Sequence, residues 1–444
     1  MSIFKAYDIR GLVPQQLSVS GAQRIGRALA ELYQAPLLAV GRDMRESGPA
    51  LREALIEGLR QGGVDVLDIG LVDTPRVYFA VGRLKLPGGV MITASHNPGE
   101  YNGFKLCREE AIPISYDSGI QELEKLFERG PRDPAERPGL LMQVDLNSAY
   151  LEYLRGFVDR IEPLKVAIDC GNGMGGSLAR ELFEPLGLEI VPLFFELDGR
   201  FPNHEANPLE AKNMRWLQEA VLAERCDLGI AFDGDADRVM FVDERGELIP
   251  SDMITLLIAA NLLEREPGAT ILYDLRSSQV VPEEIRARGG QPLRCRVGHA
   301  FIKKRMREVE AAFAGELSGH YYFRDNYYAD SGYLAALKVL EIVSRAHRSA
   351  PLSQQIEPYR RYAASGEINS KVTDPDRALA ALDARFPGSN PDRHLDGLLV
   401  QGEGWWFNVR KSNTEPLVRL NLEARDPTTM ERMRDQILDL IRST

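Results

Sequence analysis

Apolar positions follow two periods along this chain. Ile25, Ala28, Leu29 and Leu32 recur at i, i+3, i+4 and i+7, one face of a helix, with Ser20 as the expected N-cap. Leu37 to Val40 is a short apolar run that predicts a strand, ending in Gly41-Arg-Asp-Met-Arg-Glu-Ser-Gly48. Leu51, Ala54, Leu55 and Leu59 predict a second helix, stopped by Gly62-Gly63. Val64, Val66, Leu67 and Ile69 read as a strand, residues 76–84 as a helix, and Val90 to Ile92 as the end of a buried strand. Strands alternating with helices of this length predict βαβ units and a mostly parallel sheet.

Residues 130–140 are polar and proline-rich, a linker or surface loop. After a helical stretch near residues 149–158 the pattern restarts. Residues 165–169, 189–194 and 228–232 read as strands, and 178–186 and 209–225 as helices. A third block begins after Ser251, with strands at 270–273 and 292–297 and helices at 281–288, 300–311 and 331–346. The last segment differs. It has strands at 397–400, 405–409 and 417–422 and a helix at 428–441, a smaller α+β pattern. The expected architecture is therefore three similar mixed α/β domains, 1–150, 151–251 and 252–364, plus a smaller C-terminal α+β domain, 365–444. The repeat is one of architecture rather than of letters. Each α/β block sets a polar loop after its last central strand: one around Ser95, one from Asp233 to Arg238, one from Gly315 to His320.

Composition narrows the function classes. Apolar residues are 44% of the 444, enough for several cores. The net charge of -11, from 54 basic and 65 acidic residues, argues against nucleic acid as the main partner but leaves room for a basic pocket that takes a small anion. Cys107, Cys170, Cys226 and Cys295 have no CxxC spacing, so neither a disulfide framework nor a zinc site is expected. No signal-peptide pattern opens the chain, and runs such as 254–260 fall far short of the ~20 residues of a membrane span. A cytoplasmic protein, with no membrane partner, is expected.

The polar loops carry the candidate chemistry. Val90-Met-Ile-Thr-Ala-Ser-His-Asn-Pro98 runs from a buried strand into small polar residues, at the strand end where open α/β sheets bind ligands. Ser95, beside His96 and near Lys105, is a candidate activated hydroxyl. Asp233, Asp235 and Asp237 alternate, so three carboxylates can converge on one hard cation, Mg²⁺ or Ca²⁺. With Glu244 they match ligand positions of a calcium helix–loop–helix, but Arg238 stands where the sharp turn needs glycine and a strand precedes the loop. Glu316, Ser318 and His320 offer a carboxylate, a hydroxyl and an imidazole. Arg410-Lys-Ser-Asn-Thr-Glu-Pro416 suits a phosphate: Arg410 binds it bidentately, and Ser412, Asn413 and Thr414 fill the remaining oxygens. Cys170-Gly-Asn-Gly-Met-Gly-Gly176 has GxGxGG rather than GxGxxG spacing and reads as a structural turn.

Taken together, these segments resemble the α-D-phosphohexomutase family, most closely its bacterial phosphomannomutase/phosphoglucomutase branch. The resemblance covers essentially the whole chain. It rests on Phe4-Lys-Ala-Tyr-Asp-Ile-Arg-Gly11, Thr93-Ala-Ser-His-Asn-Pro98 with Tyr101-Asn-Gly-Phe-Lys105, the Asp233 to Arg238 loop, Gly298-His299, the Gly315 to His320 loop and the Arg410 to Pro416 loop, in that order. It implies four domains around one central cleft. It implies that Ser95 is carried as phosphoserine and that Mg²⁺ sits between its phosphate and Asp233, Asp235 and Asp237. Ser95 then gives its phosphoryl group to a hexose monophosphate, the 1,6-bisphosphate turns over, and Ser95 takes back the other group. Lys105 and His320 match positions implicated in proton transfer, supported by Arg238 and His299. Glu316 and Ser318 match sugar-hydroxyl ligands, and Tyr7 and Arg10 substrate-side residues. Hexose phosphates are the implied small-molecule partners, and the bisphosphate is the activator, for a monomer or dimer.

Two positions depart from the branch: Arg276, where lysine is frequent, and Leu317, where methionine is. The phosphoglucosamine branch usually has glutamine at the Leu317 position and glycine at the Asn413 position, which makes that activity the alternative. Mannose and glucose are not distinguished. A Mg²⁺-dependent phosphatase using an aspartate of the 233–237 loop, and a non-catalytic sugar-phosphate or calcium sensor, are the remaining alternatives.

Overall fold

The computed structural model of the chain describes residues 2–346, 349–411 and 417–443. Three sheets of one plan are followed by a fourth of another. In the first, Gly88–Ile92, Leu37–Arg42, Asp65–Leu71 and Leu141–Gln143 run parallel, and Tyr101–Arg108 and Ile9–Leu12 add antiparallel beyond Gly88–Ile92. The second centres on Lys165–Asp169, with Glu189–Leu193 and Leu228–Phe232 parallel to it and Val239–Asp243 antiparallel beyond. The third repeats this with Thr270–Asp274, parallel neighbours Gln291–Cys295 and Phe313–Gly315, and antiparallel Tyr321–Phe323.

These three sheets are mostly parallel, as expected, each with one strand run against the rest. In each of the three, the last parallel strand turns straight back into an antiparallel neighbour. A loop of a few residues can make only that connection, since a parallel one needs a crossover of a dozen residues or more. The three polar loops occupy these turns, between Gly88–Ile92 and Tyr101–Arg108, between Leu228–Phe232 and Val239–Asp243, and between Phe313–Gly315 and Tyr321–Phe323. The repeat thus delivers three loops from one position of one plan.

The helix Val19–Tyr33 is capped by Ser18, whose Oγ accepts from Gly21 N at 3.0 Å, not by Ser20, which lies inside the first turn. It crosses the helix Gly48–Gln61 backbone to backbone. A Cβ on Gly26 would stand 2.3 Å from Leu55 O, and one on Gly58 2.1 Å from Gln23 O, so both positions need glycine.

The C-terminal sheet is wholly antiparallel: Ala363–Lys371, Leu417–Ala424, Trp405–Lys411 and Leu398–Gly402, covered by the helices Pro375–Arg385 and Pro427–Arg442. Its edge strand, Ala363–Lys371, and the helix Pro375–Arg385 go beyond what the apolar pattern predicts. Beyond alanine the edge strand carries a single aliphatic residue, Ile368, so no alternation marks it.

One continuous buried cluster runs through the first three sheets, joining Phe79, Tyr150, Phe232, Phe313 and Tyr333. The C-terminal unit has a core of its own around Leu398, Phe407, Leu420 and Ile437. The three α/β loops are therefore held on one shared base. All four cysteines are buried and free. Among the described residues no helix is long and apolar enough to cross a membrane.

Candidate active site

Chain and burial bring the three loops together at residues 233–238. Thr74 N donates to Asp235 O at 3.1 Å, Val239 N to Gly319 O at 3.0 Å, and Gly332 N to Ala236 O at 3.2 Å. Arg238 and His320 form a backbone bridge.

Ser95 leaves its strand in the left-handed region, with φ of 52°. Its N–H donates to Thr93 Oγ1 at 2.9 Å. Its hydroxyl donates to Asp233 Oδ2 at 3.0 Å and lies 3.2 Å from His96 Nδ1; Arg238 Nη2 reaches it at 3.4 Å. A non-glycine residue there costs of order 1 kcal/mol and persists only where its surroundings over-determine it.

Asp233, Asp235 and Asp237 are buried, and one oxygen of each lies within 4.8 Å of the others. Cations hold them. Arg238 Nε donates to Asp233 Oδ2 at 2.8 Å, and Lys105 Nζ to Asp235 Oδ2 at 2.7 Å and Asp237 Oδ2 at 2.5 Å. Among the described residues, the Oδ1 atoms of Asp235 and Asp237 are buried without a hydrogen-bond partner. An all-oxygen set with two orphaned carboxylate oxygens fits a hard divalent cation such as Mg²⁺. Burial, opposed by Arg238 and reinforced by Asp237 and Asp235, pushes Asp233 up to about 7. Burial would also raise Asp237, but Lys105 and His320 outweigh it and hold that carboxyl well below the usual range. Burial would lower Lys105, yet Asp235 and Asp237 outweigh it and raise its pKa.

The calcium-loop resemblance has no geometric counterpart. Glu244 accepts from Ser353 N at 3.1 Å and from the Ser353 hydroxyl, so it is spent on another element. The glycine-rich turn after Asp169 is structural: Met174 N donates to Gly234 O at 2.9 Å and braces the aspartate loop.

In the third loop, Glu316 is buried, taking Gly298 N at 3.2 Å and the Tyr322 hydroxyl at 2.9 Å. Ser318 Oγ lies 2.8 Å from His320 Nδ1, and His320 Nε2 lies 3.5 Å from Asp237 Oδ1. Burial would lower His320, but Asp237 and Glu316 lift it to about 10, so it is an imidazolium at neutral pH.

The residues expected on the substrate side come from the first and third sheets' units and the C-terminal one. Tyr7 meets His299 ring to ring at 5.3 Å, and His299 lies 6.4 Å from His320. Arg10 Nη1 donates to Asn97 Oδ1 at 2.5 Å. Arg276 pairs with Asp274 at 2.8 Å and reaches Glu316 and Glu367 at 3.7 Å each. Arg410 and Arg419 face each other across their strands, and Glu367 offsets the like charges, accepting from Arg410 Nη2 at 3.2 Å and Arg419 Nη1 at 3.1 Å. Ser412, Asn413 and Thr414 lie outside the described residues.

Sequence patterns do not single out Tyr322, Glu367 or Thr74, whose hydroxyl bonds Asp235 Oδ2 at 2.5 Å. Each lies on a neighbouring element and enters the site only through the fold. Arg45 carried a faint signal, as the last charge of Gly41-Arg-Asp-Met-Arg45 after a strand.

Four family models match the chain in order: phosphoglucomutase/phosphomannomutase alpha/beta/alpha domain I over residues 1–132, domain II over 148–246, domain III over 250–362, and the C-terminal domain over 367–440. The chain is 42% identical to a protein of Xanthomonas campestris named "Phosphohexose mutases", over 99% of both chains. It is 39% identical to "Phosphomannomutase/phosphoglucomutase" of Pseudomonas aeruginosa, over 98% of this chain and 94% of that one. A solved phosphoglucomutase/phosphomannomutase family protein of Burkholderia thailandensis superposes with a TM-score of 0.91 at 35% identity, covering 99% of this chain and 97% of that one.

Proposed function

The chain belongs to the phosphoglucomutase/phosphomannomutase family, and from that membership we propose that it interconverts the 1- and 6-phosphates of a hexose, mannose or glucose or both, through phosphoserine at Ser95. The observation that carries this reading is the Ser95 hydroxyl 3.0 Å from Asp233 Oδ2, at the rim of three buried carboxylates. A hydroxyl so placed beside a divalent-cation site is poised for reversible phosphoryl storage.

Asp233, Asp235 and Asp237 would hold Mg²⁺ together with the Ser95 phosphate. When bound, the cation neutralises phosphoryl charge and polarises phosphorus. The remaining work falls to side chains. As the bond from phosphorus to the sugar oxygen forms and that to Ser95 Oγ breaks, the sugar hydroxyl loses a proton and Oγ gains one. Lys105 and His320, both held protonated by the acids beside them, are the proposed proton carriers: one gives its proton to Ser95 Oγ and takes the sugar hydroxyl's proton in return. Arg238 keeps its guanidinium against Oγ and Asp233. Glu316 and Ser318 take sugar hydroxyls common to mannose and glucose, with Tyr7, Arg10 and His299 as further substrate-side residues. Arg410, with Ser412, Asn413 and Thr414, grips the phosphate that is not reacting. A hexose 1,6-bisphosphate is the intermediate and activator. That grip must accept either end of the sugar, which suits a guanidinium fork and short donors that bind the phosphate alone rather than a pocket shaped to the sugar.

The proposed boundaries are 1–150, 151–251, 252–364 and 365–444, the state is monomer or dimer, and no nucleic acid or membrane takes part. A cytoplasmic location is supported by four free, buried cysteines.

Phosphorus NMR with Mg²⁺, a trace of hexose 1,6-bisphosphate and mannose, glucose or glucosamine 1-phosphate tests this directly. The 6-phosphates of mannose or glucose should appear, and Ser95→Ala should abolish them. Turnover by Ser95→Ala, or net release of inorganic phosphate, would favour the aspartate-nucleophile phosphatase. Exclusive use of glucosamine 1-phosphate would favour the phosphoglucosamine alternative.

A further inference from the structure

Behind the serine loop lies a guanidinium that the reaction does not touch. Arg45 is fully buried. All five of its guanidinium donor positions are taken, four of them by the loop itself. Nη1 donates to Pro98 O at 2.7 Å and Tyr101 O at 2.9 Å, Nη2 to Ser95 O and Asn97 O at 2.7 Å each, and Nε to Asp43 Oδ2 at 3.1 Å. Asp43 is itself tied to the strand that feeds the loop, its N–H donating to Ile92 O at 2.9 Å. The second domain seals the other side. Phe201 lays its ring 5.2 Å from the guanidinium, and a Cβ on Gly199 would stand 2.5 Å from Arg45 Cα.

We propose that Arg45 is the positioning residue for the nucleophile: its planar fork gathers the carbonyls of residues 95, 97, 98 and 101 and thereby keeps Ser95 left-handed with its hydroxyl aimed at Asp233. This rests on the reading of Ser95 as the phosphoryl carrier. Four carbonyl dipoles and one carboxylate compensate the buried charge, which would otherwise be costly. They also fix both ends of the loop to one rigid plane. Lysine keeps the charge but presents its donors from a single atom, so it cannot span four carbonyls set around a fork. The loop would then relax from a conformation that a non-glycine residue does not choose.

The test compares Arg45→Lys with the unaltered protein in Mg²⁺. It reads kcat, KM, and the phosphate carried by the intact protein after brief exposure to hexose 1,6-bisphosphate, measured by mass. Misplacing a nucleophile by about 1 Å costs about 100-fold in rate. The expected result is therefore a kcat lower by about that factor, KM within a few-fold, and slowed phosphorylation in protein that still melts cooperatively. A purely structural role would lower the melting temperature and leave kcat per folded molecule unchanged, which would overturn the inference. Should Arg45→Lys not fold, Asp43→Asn weakens the Nε end of the same guanidinium, along with the bonds of Asp43 to Arg45 N and Thr93. A fall in kcat at held KM supports the inference there, and an unchanged kcat overturns it. Ser95→Ala run alongside separates the two claims. An active Ser95→Ala retires the phosphoserine reading, whereas an inactive one beside fully active Arg45→Lys retires only the role of Arg45.

Discussion

Tyr322 shows how much of this site depends on single atoms. Its hydroxyl and Gly298 N each occupy one oxygen of Glu316, the carboxylate assigned to the sugar. Tyr322→Phe removes one hydrogen bond to a buried charge and adds little volume change. On the proposed assignment Glu316 would touch the sugar in ground and transition states alike, so the loss should appear as uniform binding. KM should rise about fivefold, the equivalent of about 1 kcal/mol, with kcat held. Steady-state kinetics on glucose 1-phosphate measure it, and a fall in kcat at unchanged KM would contradict it. At this scale the sequence is most readable where a small polar cluster ends an apolar run, as at Ser95, Asp233–Asp237 and Glu316–His320. Tyr322 and Arg45 lack such a signature. An aromatic in a strand and an arginine after one look like ordinary core and surface until the fold shows what they touch.

Elements with a clear period are read closely from sequence, because their apolar face is the reason they form. Residues 165–169 and 228–232, read as strands from their apolar runs, are the strands Lys165–Asp169 and Leu228–Phe232. The antiparallel return strand Tyr101–Arg108 and the edge strand Ala363–Lys371 are less legible. The first interleaves Asn102, Gly103 and Lys105 among its core residues, and Lys105 reaches Asp235 and Asp237; the second has one aliphatic residue beyond its alanines. Two helices meet at another element-scale feature. Asp252, in the first turn of Ser251–Arg265, accepts from Ser278 N at 2.9 Å just ahead of the helix Val280–Ala287. Burial pushes its carboxyl up to about 6, partly offset by that backbone bond and reinforced by Glu423 and Asp274. The folded state therefore binds this proton more tightly than the unfolded one. Its stabilising effect is complete below the unfolded value near 4 and is lost as pH rises through about 6. Asp252→Asn keeps an acceptor for Ser278 and has no charge to bury. Relative to the unaltered protein it should gain about 3 kcal/mol between pH 4 and pH 7. Urea melts at the two pH values measure this, and a pH-independent difference would contradict it.

At the scale of the whole molecule, the organising fact is one loop position used three times on a shared core, faced by a C-terminal sheet with a core of its own. Within the net charge of -11 stand two clusters of cations paired with acids. Arg238, Lys105 and His320 surround the acids, and Arg276, Arg410 and Arg419 converge on Glu367. On the proposed reading, one cluster would serve the reacting phosphate of the sugar and the other the phosphate that is held. The most direct test follows a labelled phosphoryl group placed on Ser95 and mixed with unlabelled hexose 1-phosphate and Mg²⁺ in a single turnover. The label should pass to hexose 1,6-bisphosphate and then to hexose 6-phosphate as the serine is charged again from the 1-position. Label that stays on the protein, or leaves it as inorganic phosphate, would contradict a serine relay.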